Sequence, residues 1–281
     1  MKIVSRTCLL AFALLTAWPD RASAVTIVTH FVGGSAPDRS VGEGNLPDIF
    51  DAAARHWASA YLDSFTLHLY YGWATLGDAG THTLIEQGGE PNREVAGIIL
   101  FDNSGSVRFF MDPTPYTSEE YRRYTEEYQE LGAGFLNVAR IFSDPTGIPP
   151  GHCDLLSVAI HEIGHALGMC NANARFVKER TGGTVLIRGE LPYAGTVIPL
   201  ASNHSGVTSH FDPTRVVYGS VMSGICGDER RIPSALDILA NAQISGFREL
   251  SLHPLINCDT ACCDPPGQDR VGRIATRGGT R

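Results

Sequence analysis

The sequence predicts a mixed α/β domain of the α+β kind, on three observations. Segments rich in β-branched and aromatic residues recur at 25–32 (VTIVTHFV), 64–74 (SFTLHLYYGWA) and 94–101 (EVAGIILF), which is strand composition. Segments with apolar residues at helical spacing recur at 46–62, 154–169 and 234–248. The 281-residue chain is 43% apolar and only 19% charged, which supports a sizeable core and argues against a largely disordered chain.

Residues 1–24 read as a signal peptide. Lys2 and Arg6 form a basic start, Cys8 to Trp18 is an apolar run, and Ala22-Ser23-Ala24 is a small-residue cleavage pattern. The expected product begins at Val25 and is secreted, to the extracellular space or the periplasm, with no membrane anchor left after cleavage. A strand then starts at once. The helix at 46–62 has Pro47 in its first turn and Ile49, Phe50, Ala53, Trp57 and Ala60 on one face. After the strands at 64–74 and 94–101, Asn103-Ser104-Gly105 signals a turn, so 106–111 (SVRFFM) reads as the second arm of a hairpin. Residues 117–131, rich in Tyr and Glu, read as a solvated helix. The strongest helix is 154–169, with Asp154 as N-cap and Gly168 as stop. Residues 171–232 are rich in Gly, Pro, Ser and Asn and read as irregular. A helix returns at 234–248, and 251–281 reads as a cysteine-containing tail with a disordered end.

The formal net charge of -8, without any Lys/Arg stripe, excludes a nucleic-acid footprint. Of seven cysteines, Cys8 falls in the signal peptide. That leaves Cys153, Cys170, Cys226, Cys258, Cys262 and Cys263, an even set that in an exported chain predicts disulfides, with the pairing open. Cys153 and Cys170 bracket the 154–169 helix.

That helix carries His161-Glu162-Ile163-Gly164-His165. Histidines four apart share one helix face, near enough to hold one ion. Zinc takes neutral imidazole nitrogens at about 2.0–2.1 Å and in catalytic sites keeps a position open. Glu162 points into the same cleft, where it can take a proton from an activated water and pass it to a leaving amine. Catalytic zinc needs a third protein ligand. The candidates downstream are His204 and His210, with Glu179 and Glu190 as carboxylate alternatives.

The pattern from His161 to Gly168 resembles the metzincin superfamily of zinc endopeptidases. Where most metzincins place the third histidine, this chain has Asn171. The leishmanolysin-like branch inserts a long segment there. The chain is similar to it in His210-Phe211, in Ser220-Val221-Met222-Ser223-Gly224 and in the helix from Ser234 to Leu239. The resemblance implies one catalytic Zn²⁺ held by His161, His165 and His210, with Glu162 as general base, Met222 in a Met-turn, and protein or peptide substrates. It also implies a metzincin-like zincin fold over residues 25–250. An N-terminal lobe (25–169) would hold a twisted mixed sheet and two main helices, and a smaller irregular C-terminal lobe (170–250) would end in a helix. The chain departs from the family in having no tyrosine after Met222; Tyr218 precedes the turn.

Two other functions fit the motif: a gluzincin-like peptidase with a Glu as third ligand, and a non-catalytic zinc-containing surface or binding protein. The intact Glu162 argues against the second. His30, His56, His68, His82, His152 and His253 stand apart from any ligand pattern and read as surface or satisfied core histidines. Asp102-Asn103 and Asp112 offer oxygen ligands to a structural Ca²⁺, but a plain turn is the better reading.

Overall fold

A computed structural model describes residues 24–216, 218–224 and 226–253. Residues 1–23, where the signal peptide is expected, and the tail beyond His253, with Cys258, Cys262 and Cys263, lie outside the described residues.

Strand β1 (Thr26–Gly33) leads to helix α1 (Leu46–Ala58). Asn45 caps α1 by accepting from the Asp48 backbone N–H, and the helix stops at Ser59, short of the expected Leu62. Strands β2 (Thr66–Ala74), β3 (Gly80–Gly88) and β4 (Arg93–Asp102) follow. The four strands form one mixed sheet in the order β1-β2-β4-β3, with β3 alone antiparallel and at an edge. The sheet packs against α1, where Phe50 stacks on Tyr71 at 4.0 Å between ring centroids.

The expected hairpin at 106–111 does not form. Asp102 draws Ser104 and Ser106 into a turn by accepting from both hydroxyls and from the Ser104 N–H. The chain thereby leaves the sheet, and only β5 (Phe109–Phe110) is extended. The expected helix at 117–131 is also wrong: it is strand β6 (Tyr121–Glu130), paired antiparallel with β7 (Phe135–Pro145). The pairing overrides the helix propensity of its Glu and Arg residues, as tertiary context commonly does. β5 pairs in parallel with β8 (Cys153–Asp154), which runs directly into helix α2 (Leu155–Ala166).

All twelve residues of α2 are buried, and Asp154 caps it by accepting from the Ser157 N–H. Trp57 on α1 donates its indole N–H to the Ile160 carbonyl at 2.8 Å, which ties the two helices together. The stretch after α2 is more ordered than its composition suggests. It holds α3 (Ala174–Glu179) and an antiparallel sheet of β9 (Arg180–Thr181), β10 (Thr184–Leu186), β11 (Val197–Asn203) and β12 (Gly206–Phe211). β13 (Arg230–Arg231) joins β7 at its free edge, and α4 (Ala235–Ser245) closes the fold with a Ser234–Asp237 capping box and a left-handed Gly246.

One disulfide joins Cys153, at the start of α2, to Cys226. Cys170 has no disulfide partner among the described residues. No helix among them is long and apolar enough to cross a membrane.

Candidate metal centre

Helix α2 delivers His161, Glu162 and His165 to one cleft of about 590 Å³, and β12 delivers His210 from across it. The three imidazoles form a group whose nitrogens all lie within 4.8 Å of one another, which is a group that can hold a metal ion. His204 sits exposed in the turn between β11 and β12, outside that group. Glu179 is also elsewhere: its carboxylate takes Arg175, Arg188 and the Gln243 amide. Asn171 accepts from the Arg180 guanidinium.

The tautomers follow from the partners. His161 Nδ1 lies 2.7 Å from the Val221 carbonyl, and His165 Nδ1 lies 2.5 Å from the Met169 carbonyl. A carbonyl only accepts, so each Nδ1 carries the proton and each Nε2 is a bare lone pair. His161 Nε2 stands 3.0 Å from His165 Nε2 and 3.2 Å from His210 Nε2. The 3.0 Å contact is therefore acceptor against acceptor. Between two neutral imidazoles in this tautomer no hydrogen bond accounts for it; a shared cation would, because neutral imidazoles with the second nitrogen anchored are the form that ligates zinc. Burial lowers the His161 pKa to about 3 and pushes His165 and His210 down as well, with the neighbouring imidazoles adding to the shift for His161 and His165. All three are thus held neutral.

The supports come from three elements. The turn from Ser220 to Ser223 places the Val221 carbonyl, and it is fixed by Asp237 of α4, which accepts from the Ser220 hydroxyl and the Met222 N–H. Met222 is fully buried beneath α2, and its carbonyl accepts from Phe211 N–H, which holds β12 next to the turn. Only a glycine fits above it, since a Cβ on Gly164 would meet Met222 Sδ at 2.5 Å. The Tyr218 ring stacks on Arg231, whose guanidinium lies 4.4 Å from its centroid.

Glu162 faces the strand β3, where Gly80 leaves it room: a Cβ there would stand 2.9 Å from Glu162 Oε1. Burial, then the charge of Asp78, raises its pKa to about 8. With no cation beside it, its protonated form is thus favoured near neutrality.

Most of the remaining histidines are satisfied as expected: His152 by the Pro149 carbonyl, His253 by Arg140, and His30 and His68 by each other. His82 is paired too, with Glu94 at 2.7 Å. It lines the cleft and its ring lies 6.4 Å from that of His165, a placement the sequence did not signal. Asp102 gives its oxygens to the turn described above, as the plain-turn reading expects, whereas Asp112 accepts from Thr114 and also forms a buried ion pair with Arg230. Comparison with known protein families, curated proteins and solved structures finds no match to this chain.

Proposed function

We propose that the chain is a secreted zinc endopeptidase whose metal is held by His161, His165 and His210, with Glu162 as general base and acid. The observation that carries this reading is the convergence of bare imidazole nitrogens beside a buried carboxylate in one open cleft. Those residues fit zinc in type, number and protonation. The metzincin-like pattern around them agrees. On this reading residues 25–250 form the catalytic domain, and the cleft divides a 25–169 lobe from a 170–250 lobe. The Cys153–Cys226 disulfide suits an oxidising compartment, as the signal-peptide reading requires.

Zinc bound there supplies Lewis acidity, lowering the pKa of water in the cleft toward 7 and polarising a peptide carbonyl. Glu162 takes the proton of the attacking water as its oxygen bonds to the carbonyl carbon. As the C–N bond breaks, Glu162 hands that proton to the departing amine, which leaves two neutralised products and the carboxylate restored. The β3 edge beside the cleft, through Gly80 to His82, presents unpaired backbone groups that suit an extended peptide. Val221 and Met169 hold the imidazoles in register throughout.

The test is Glu162→Gln. Hydrolysis of an unfolded casein-type substrate should fall by about 10²–10⁴-fold, with zinc content unchanged. Full activity in that variant contradicts the proposed role.

A further inference from the structure

The cleft wall facing α2 holds a polar pair that the proposed chemistry does not use. His82 on β3 and Glu94 on β4 have side chains only 1% and 0% exposed, in the layer between sheet and helix. His82 Nε2 and Glu94 Oε1 lie 2.7 Å apart. Gly97 makes the space: a Cβ there would stand 3.0 Å from His82 Nε2 and would collide with the Glu94 carboxylate. The other ends of the pair, His82 Nδ1 and Glu94 Oε2, are buried with no hydrogen-bond partner among the described residues. An apolar pair of the same size would fill this space without desolvating polar atoms, so packing does not explain the choice.

Geometry connects the pair to the candidate metal centre. The His82 ring is nearly parallel to that of His165, 23° between planes, with centroids 6.4 Å apart. Burial raises the Glu94 pKa to about 9, and no lysine or arginine pairs with it among the described residues. With no cation beside it, the carboxyl is therefore held in its neutral form. A dication held by the three imidazoles, one ring away, would favour the ionised carboxylate.

We infer that Glu94, acting through His82, orients His165 and balances the charge of a divalent metal held by His161, His165 and His210. This inference rests on the three-histidine reading above. Glu94 is a positioning residue. Its hydrogen bond fixes the plane of His82, and that plane limits how far His165 can turn its Nε2 away from the metal. A carboxylate bonded directly to a ligand histidine holds its orientation and raises its basicity; here Met169 takes the His165 Nδ1, and Glu94 acts one ring further out.

The test compares Glu94→Gln and His82→Phe with the wild type. Zinc affinity is read by competition with a chromophoric chelator, thermal unfolding is read without metal, and the visible spectrum is read after cobalt loading. Zinc affinity should fall about 10–100-fold in either variant, with a shifted cobalt band. The metal-free variants should melt at the wild-type temperature or above it, since the pair gives no net stability without its cation. If either single variant folds poorly, the apolar double variant His82→Phe/Glu94→Leu fills the same space and gives the same readings. Zinc affinity unchanged from the wild type overturns the inference, whatever the melting temperature does. If the wild type itself takes up no zinc, the three-histidine reading falls and this inference falls with it, a result distinct from equal binding by all variants.

Discussion

The two ends of helix α2 are both packed with buried polar side chains, but they are satisfied in opposite ways. At the N-terminal end, Arg230 donates to both carboxylate oxygens of Asp154, to Asp112, to the Thr117 carbonyl and to the Ser118 hydroxyl, with the Tyr121 ring 5.0 Å away. Burial works against its charge, but Asp154 and Asp112 outweigh that and hold it firmly cationic. At the C-terminal half, His161 and His165 satisfy only their outer nitrogens and turn bare lone pairs toward each other. A polar cluster with every donor matched holds the chain together. A cluster in which two acceptors face each other, as His161 and His165 do, could instead hold a metal ion.

The largest effect expected from this contrast is on stability at the satisfied end. Arg230→Ala leaves Asp112 and Asp154 buried and uncompensated, which should destabilise the fold by about 3–5 kcal/mol in denaturant unfolding. Zinc bound per folded molecule should stay at the wild-type level. Loss of zinc at conditions where the variant remains folded would show that the two ends are not separable. The smaller effect lies between them. Gly164→Ala places a methyl against Met222 Sδ and, at 3.1 Å, against the Trp57 ring, so stability should drop by about 1–3 kcal/mol. Unchanged unfolding would mean that Met222 is not packed tightly under the helix.

The contrast also shows what a sequence exposes. Helix α2 is legible because its signals are local: Asp154 caps it, and an unbroken apolar run leaves His161, Glu162 and His165 with one direction to face. β6 is misread because only Tyr121 on it is fully buried, so the alternation that marks a strand is faint beneath its Glu and Arg content. β3 is missed for a similar reason: its inward positions Gly80, His82 and Leu84 are only partly buried and hold one apolar side chain between them, so no apolar alternation marks the strand. β7, the partner that makes β6 a strand, carries a buried run from Leu136 to Arg140 that includes Asn137 and Arg140, so its sequence lacks a clean apolar alternation. The third histidine was not fixed by spacing, since His204 and His210 were both open on the residues alone; the resemblance favoured His210, and the hairpin of β11 and β12 puts it at the group and His204 at the turn. His82 and Glu94 were invisible because their pairing depends on the register of β3 against β4 and on how that sheet meets α2.

Metal analysis of the purified chain, with His210→Ala and His204→Ala beside it, tests whether three imidazoles from α2 and β12 hold one zinc. One zinc per chain is expected in the wild type and in His204→Ala, and its loss is expected in His210→Ala with the fold retained. Zinc kept by His210→Ala, or lost only from His204→Ala, would contradict that arrangement.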